Sequence, residues 1–152
     1  MSEFVWHYTT GDHRLKSITG LGFLIPSNVG APKERPLLWF SANQEYEPTA
    51  IKMVARADGS IEQLTFEQQN ELAGCVRFGL PAADRRLMSW KRACSFARTP
   101  RVVRTAMEQT GIQCGGNPAH WFAVSELIPV DSTKAQIWDG AKWRMLEGGD
   151  HD

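Results

Sequence analysis

The opening fifty positions alternate between short apolar runs and turn-forming breaks. Val5-Trp6-His7-Tyr8-Thr9-Thr10 is apolar, β-branched or aromatic with one polar interruption, which predicts a strand. Thr10-Gly11-Asp12 then reads as a turn and helix start. Leu15, Ile18 and Leu21 follow on one helical face, until Gly20 and Gly22 stop the helix. Gly22-Phe23-Leu24-Ile25-Pro26 predicts a short strand ended by proline, and residues 27–36 a polar surface loop able to cover a pocket. Leu37-Leu38-Trp39-Phe40-Ser41 is apolar enough for a strand buried on both faces.

Further on, Asn43 to Glu47 predicts a turn, Pro48 the first turn of a short helix, and Ile51 to Ala55 a strand before the Asp58-Gly59 turn. Thr65 and Gln68 form a capping-box pattern at the start of a helix that ends at Gly74. Residues 75–80 alternate like a strand up to Pro81. Residues 86–97 and 100–110 predict two helices, the second with Thr99 as N-cap and Pro100 at its first position. Gly115-Gly116-Asn117-Pro118 marks a loop, and residues 121–127 a strand. Residues 135–138 and 142–146 predict a hairpin across Asp139-Gly140. This order, with helices early and in the middle and strands between and after, predicts an α+β fold with a mostly antiparallel or mixed sheet. One domain over residues 1–147 and a frayed tail over 148–152 follow from length and tail polarity.

Composition narrows the function classes. Across 152 residues the formal net charge is zero, which removes any whole-chain attraction to nucleic acid or membrane. No apolar run is long enough to span a bilayer and no secretory signal is evident, so the expected location is cytoplasmic. The three cysteines, Cys75, Cys94 and Cys114, form no CxxC pair; neither a metal site nor a disulfide framework is expected.

Three pieces could carry chemistry. His7-Tyr8-Thr9 ends a strand; Trp39-Phe40-Ser41-Ala42-Asn43 ends another; Glu126 is a lone carboxylate in the apolar run from Trp121 to Val130. Buried, each polar group would need a partner or a use.

The stretch from Trp6-His7-Tyr8-Thr9-Thr10 through Gly20-Leu21-Gly22-Phe23-Leu24-Ile25-Pro26 to Leu38-Trp39-Phe40-Ser41-Ala42-Asn43 resembles the NAD-binding half of the ADP-ribosyltransferase superfamily. It looks most like the diphtheria-toxin-type arrangement, with a late-strand glutamate at Glu126. The resemblance implies a small ADP-ribosyltransferase-like fold whose sheets surround an NAD cleft. By the same resemblance His7 would hydrogen-bond the ribose and the Tyr8 backbone would hold the carboxamide, with Thr9 beside them in the cofactor site. Phe40 would stack on the nicotinamide, and Ser41 would support the glutamate or line the pocket. Glu126 would hold the ribose 2′-hydroxyl and stabilise the cationic sugar as nicotinamide leaves, with His7 completing the catalytic pair. The implied reaction is transfer of ADP-ribose from NAD to a macromolecule or to water. Family habit adds a toxin-antitoxin or phage-conflict role. Val124 stands where arginine-acting transferases carry a second acid, which argues against arginine as the acceptor.

One local charge bias remains. Arg85, Arg86, Lys91, Arg92, Arg98, Arg101 and Arg104 form a basic stretch with no acid among them. It offers a nucleic-acid contact and an alternative function: a catalytically degenerate module that binds protein or nucleic acid. The simpler expectation is a solvated helix pair balanced by the acids of residues 58–71.

Overall fold

The computed structural model describes residues 3–11, 18–29, 31–51 and 53–146. The N-terminal strand β1 (Phe4–Thr9) lies near the middle of the main sheet. Around it lie β3 (Leu38–Ser41), β6 (Val76–Pro81), β7 (Met88–Ser89), β8 (Trp121–Val124), β10 (Lys134–Trp138) and β11 (Trp143–Met145). The order of these seven strands is β11-β10-β6-β1-β3-β8-β7, and all of these pairings are antiparallel. Two smaller antiparallel pairs stand apart: β2 (Phe23–Leu24) with β9 (Ile128–Pro129), and β4 (Met53–Ala55) with β5 (Ile61–Gln63). Residues 18–21 are helical (α1), followed by α2 (Phe66–Ala73), α3 (Trp90–Ala97) and α4 (Arg101–Gln113). The architecture is α+β with antiparallel sheets.

Side-chain alternation divides β1 between two faces. Val5 faces the main core with Leu38, Phe40, Val76, Phe78, Leu80 and Val124, closed over by Leu24 of β2 and Ile128 of β9. Trp6 and Tyr8 have the opposite parity. On their side α2 inserts Phe66 among Tyr8, Tyr46, Trp138 and Trp143. Beyond β3, α3 packs Trp90 and Ala93 against Trp121 and Ala123 of β8. The two helices therefore cover opposite lateral ends of the sheet.

Arg77 of β6 is 6% exposed, with its guanidinium 3.8 Å from the Trp6 ring and 4.2 Å from the Trp143 ring. It donates to the Gln136 side chain, the Tyr8 hydroxyl and the Gln44 carbonyl. Two indole faces and these acceptors offset the loss of water around the cation. Next along β6, Gly79 leaves room for Trp6: a Cβ there would lie 2.7 Å from the ring. Gly79→Ala is expected to lower stability by about 1–3 kcal/mol through overpacking, measured by urea unfolding.

Several expectations hold: β1, β2 and β3, the capping box at Thr65 and Gln68, the β6 strand, and the hairpin across Asp139-Gly140. In that hairpin Asp139 accepts from the Ala141 and Lys142 amides at 2.8 Å, and Gly140 has φ of +100°. Others are corrected. Met88 pairs with Ala123, so a strand precedes α3, and the helix begins only after the Ser89 cap rather than at Arg86. Thr99 does not cap α4; its hydroxyl donates to Glu34 at 2.6 Å. α4 continues past Thr110 through Gly111, where any side chain would collide with Trp121. In the first helix Gly22, not Gly20, makes the exit, with φ of +80° and its amide bonded to the Ile18 carbonyl. Ile18 packs on the core but Leu21 is 59% exposed, while Leu15 and the tail over 148–152 lie outside the described residues.

Cys75 is buried, and desolvation pushes its thiol up to about 12 from an ordinary 9.0. The folded state therefore keeps a neutral thiol where the unfolded chain ionises. This contribution to stability is full below pH 9 and is lost as pH rises from 9 toward 12. Guanidinium midpoints across that range are expected to fall for the parent and to fall less for Cys75→Ala.

Candidate functional site

β1 is paired along its whole length with β6, from Phe4↔Pro81 to Thr9↔Val76. Toward β3 it registers through the single pair Trp6↔Ser41. Beyond Trp6 the two strands share no further ladder pair. Four residues of β3 remain paired with β8, from Leu38↔Val124 to Ser41↔Trp121. The split between β1 and β3 is one of hydrogen-bond pairing: they remain neighbours in the sheet but pair at a single position. The same end of the sheet carries Thr9 ending β1, Leu38 starting β3 and Val124 ending β8.

The His7 imidazole bridges this split. Its Nδ1 lies 2.8 Å from the Trp39 carbonyl oxygen. A carbonyl only accepts, so Nδ1 carries the proton, and in the neutral ring Nε2 becomes the acceptor nitrogen. The ring also stands 5.9 Å from Phe40, tilted by 59°. Phe40 is 3% exposed and belongs to the main core, so it backs His7 from inside rather than presenting a face to solvent.

Tyr8 and Ser41 point to the other side of the sheet. The Tyr8 hydroxyl donates to the Asn43 carbonyl at 2.6 Å, and burial pushes its phenol well above the ordinary range. Of Tyr8, only the backbone is available on the split. Ser41 is buried, and its hydroxyl donates to Glu47 at 2.7 Å, so the glutamate it supports is Glu47 and not Glu126.

Glu126 is exposed on a bend that directly follows β8, rather than inside the strand expected over residues 121–127. Its neighbour is Arg86. Asp84 grips that guanidinium through two bonds, at 2.7 and 3.0 Å; these, with Glu126 behind them, hold Arg86 above its usual range. β1 and β8 flank β3, so about 10 Å of sheet width separates the His7 strand from the strand leading to Glu126.

Glu47 was not anticipated from the sequence. It is 7% exposed and accepts from the Ser41 hydroxyl, the Thr49 amide at 3.0 Å, the Thr49 hydroxyl at 2.6 Å and the Trp121 indole at 3.3 Å. All its partners are protein groups, and it caps the short helix Pro48–Ala50. The Glu47-Pro48-Thr49 order was the available signal: an acceptor side chain just before a first-turn proline.

The basic stretch divides. Arg86 is bound to Asp84, and Arg104 lies 4.0 Å from Glu108, while Arg85, Lys91, Arg92, Arg98 and Arg101 are exposed. The acids of residues 58–71 do not balance it. They sit on or beside β5 and α2, and α2 packs by β10, whereas α3 packs by β8. Four strand spacings, roughly 19 Å, separate β10 from β8. Among the described residues no helix is long and apolar enough to cross a membrane, and no group of three or more His, Cys, Asp or Glu could hold a metal. No known protein family matches the chain, and no curated protein or solved structure matches it either.

Proposed function

We propose that this chain is an ADP-ribosyltransferase-like protein that binds NAD at the split between β1 and β3, cleaves the nicotinamide–ribose bond and transfers ADP-ribose to a macromolecule or to water. The observation that carries the reading is the His7 ring on the Trp39 carbonyl, where β1 and β3 no longer pair, at the sheet end from which Glu126 follows β8. A half-buried imidazole held on the Trp39 carbonyl is a fixed polar group of the kind that meets a ribose hydroxyl. The Tyr8 backbone offers a donor and an acceptor for a carboxamide, and Thr9 lies one step further along the same edge. Glu126, exposed at the same end of the sheet, is the carboxylate for the positive charge that develops on the sugar as nicotinamide departs. Phe40 serves this site by holding His7 in place, so the stacking role first expected of it passes to another group.

Calorimetric titration with NAD, with nicotinamide assayed in the same sample, tests the reading. Saturable binding with release is the expected result; no binding at millimolar NAD overturns it. His7→Ala is expected to weaken NAD binding by about tenfold, the loss of one hydrogen bond to a ribose hydroxyl, and to lower stability by about 1–2 kcal/mol as the Trp39 carbonyl loses its partner, with the fold retained. An unchanged titration rejects the ribose role.

A second reading has its own observation, the exposed cations around α3. In it the chain keeps this fold without NAD chemistry and binds protein or nucleic acid through that edge. Macromolecule binding without nicotinamide release separates the two.

A further inference from the structure

The α3 edge carries more than charge. Met88, Lys91, Arg92, Ser95 and Phe96 line a shallow groove there. Its floor is apolar, from Met88 and the half-buried Phe96, and its walls bring two exposed cations. The loop before β3 docks against the C-terminal end of α3. The Arg35 amide donates to the Ala97 carbonyl at 3.1 Å, and the Arg35 guanidinium lies 5.1 Å from the Phe96 ring centre. Nearby acids are already engaged: Glu34 by Thr99, Asp84 by Arg86, and Glu108 by Trp90 and Arg104. Among the described residues neither Lys91 nor Arg92 forms an ion pair. Met88 pairs with Ala123, three positions before Glu126, so the groove borders the sheet end where that carboxylate stands.

We propose that this groove holds a single-stranded polynucleotide, with a base on Phe96 beside Arg35 and phosphates on Lys91 and Arg92, and that this strand is the acceptor for ADP-ribose. An aromatic ring next to a guanidinium, flanked by point cations, matches a stacked base followed by its backbone. A duplex hides its base faces, and an acidic peptide has none to stack. The acceptor role rests on the NAD reading above; the binding role does not.

The test is fluorescence anisotropy with a short labelled oligodeoxynucleotide and its RNA counterpart, each measured against a salt series. The expected result is a Kd of about 10⁻⁵ M that weakens steeply with salt. Lys91→Glu with Arg92→Glu changes two exposed positions and should weaken binding by about tenfold or more. Phe96→Ala should weaken it by about tenfold through lost stacking, with its fold checked by thermal melting. Preference for DNA or RNA tells which strand is the target. No saturable binding, equal binding by the charge-reversal variant, or equal or better binding of polyglutamate or of duplex overturns the proposal. Mass spectrometry of the oligonucleotide after incubation with NAD then tests the acceptor role, which an unmodified strand rejects when nicotinamide is released. Strand binding without nicotinamide release overturns the NAD reading, and the acceptor role with it, while the groove stands. Release without strand binding does the reverse.

Discussion

Glu126→Gln is expected to lower the rate of nicotinamide release by about 10²–10³-fold while NAD affinity stays within a few-fold. The size follows from the chemistry. In the proposed reaction, departure of nicotinamide leaves positive charge on the ribose and the carboxylate would meet it only in that state, so the loss would fall on turnover and not on binding. The position makes the test clean. Glu126 is exposed on the bend after β8, and glutamine has nearly its shape, so the melting temperature should stay within about 1–2 °C, as for other surface changes. Release at the parent rate would reduce Glu126 to a surface carboxylate beside Arg86. Loss of fold together with activity would assign it a structural role.

The largest expected effect on stability belongs to Glu47→Ala. That substitution strips the acceptor from two hydroxyls, one amide and one indole at a site that is almost closed to water. Leaving such donors unpaired is expected to cost about 3 kcal/mol, or roughly 6–12 °C in Tm for a chain of this size. Glu47→Gln keeps one acceptor oxygen and turns an amide NH2 toward the remaining donors, so about half that loss is expected. Thermal and urea unfolding of the two variants give the comparison. An Ala variant as stable as the parent would show that packing of Trp121 over Gly111, and not this carboxylate, fixes the turn before Pro48.

The elements legible in the sequence are those set by local rules. The capping box at Thr65, the Asp139-Gly140 hairpin and the apolar, aromatic run of β1 each depend on a few neighbouring residues, and each agrees with the structure. What was missed depends on partners far along the chain. Arg86 to Ser89 carries helix-compatible residues, but pairing of Met88 with Ala123 draws two of them into a strand. Thr99 looks like a helix cap until Glu34 takes its hydroxyl. The site shows the same division. His7 at a strand end was visible, yet the missing ladder beside it is a property of two strands. Phe40 and Ser41 were read as one patch, although strand parity sends their side chains to opposite faces. Lys91 and Arg92 were visible as charge, but the groove around Phe96 required Arg35, which the loop brings in from more than fifty positions away.

The central place of β1 has a consequence for how the chain is made. It is synthesised well before its full-length partner β6; Tyr8 and Arg77 are 69 positions apart. At about 5–20 residues per second, β1 waits roughly 3–14 s before that partner has been synthesised. Throughout that interval Val5, Trp6 and Tyr8 have no sheet to enter. The nascent chain thus presents Val5 and Trp6 early and buries them late, and this ordering makes the segment a natural client for a chaperone.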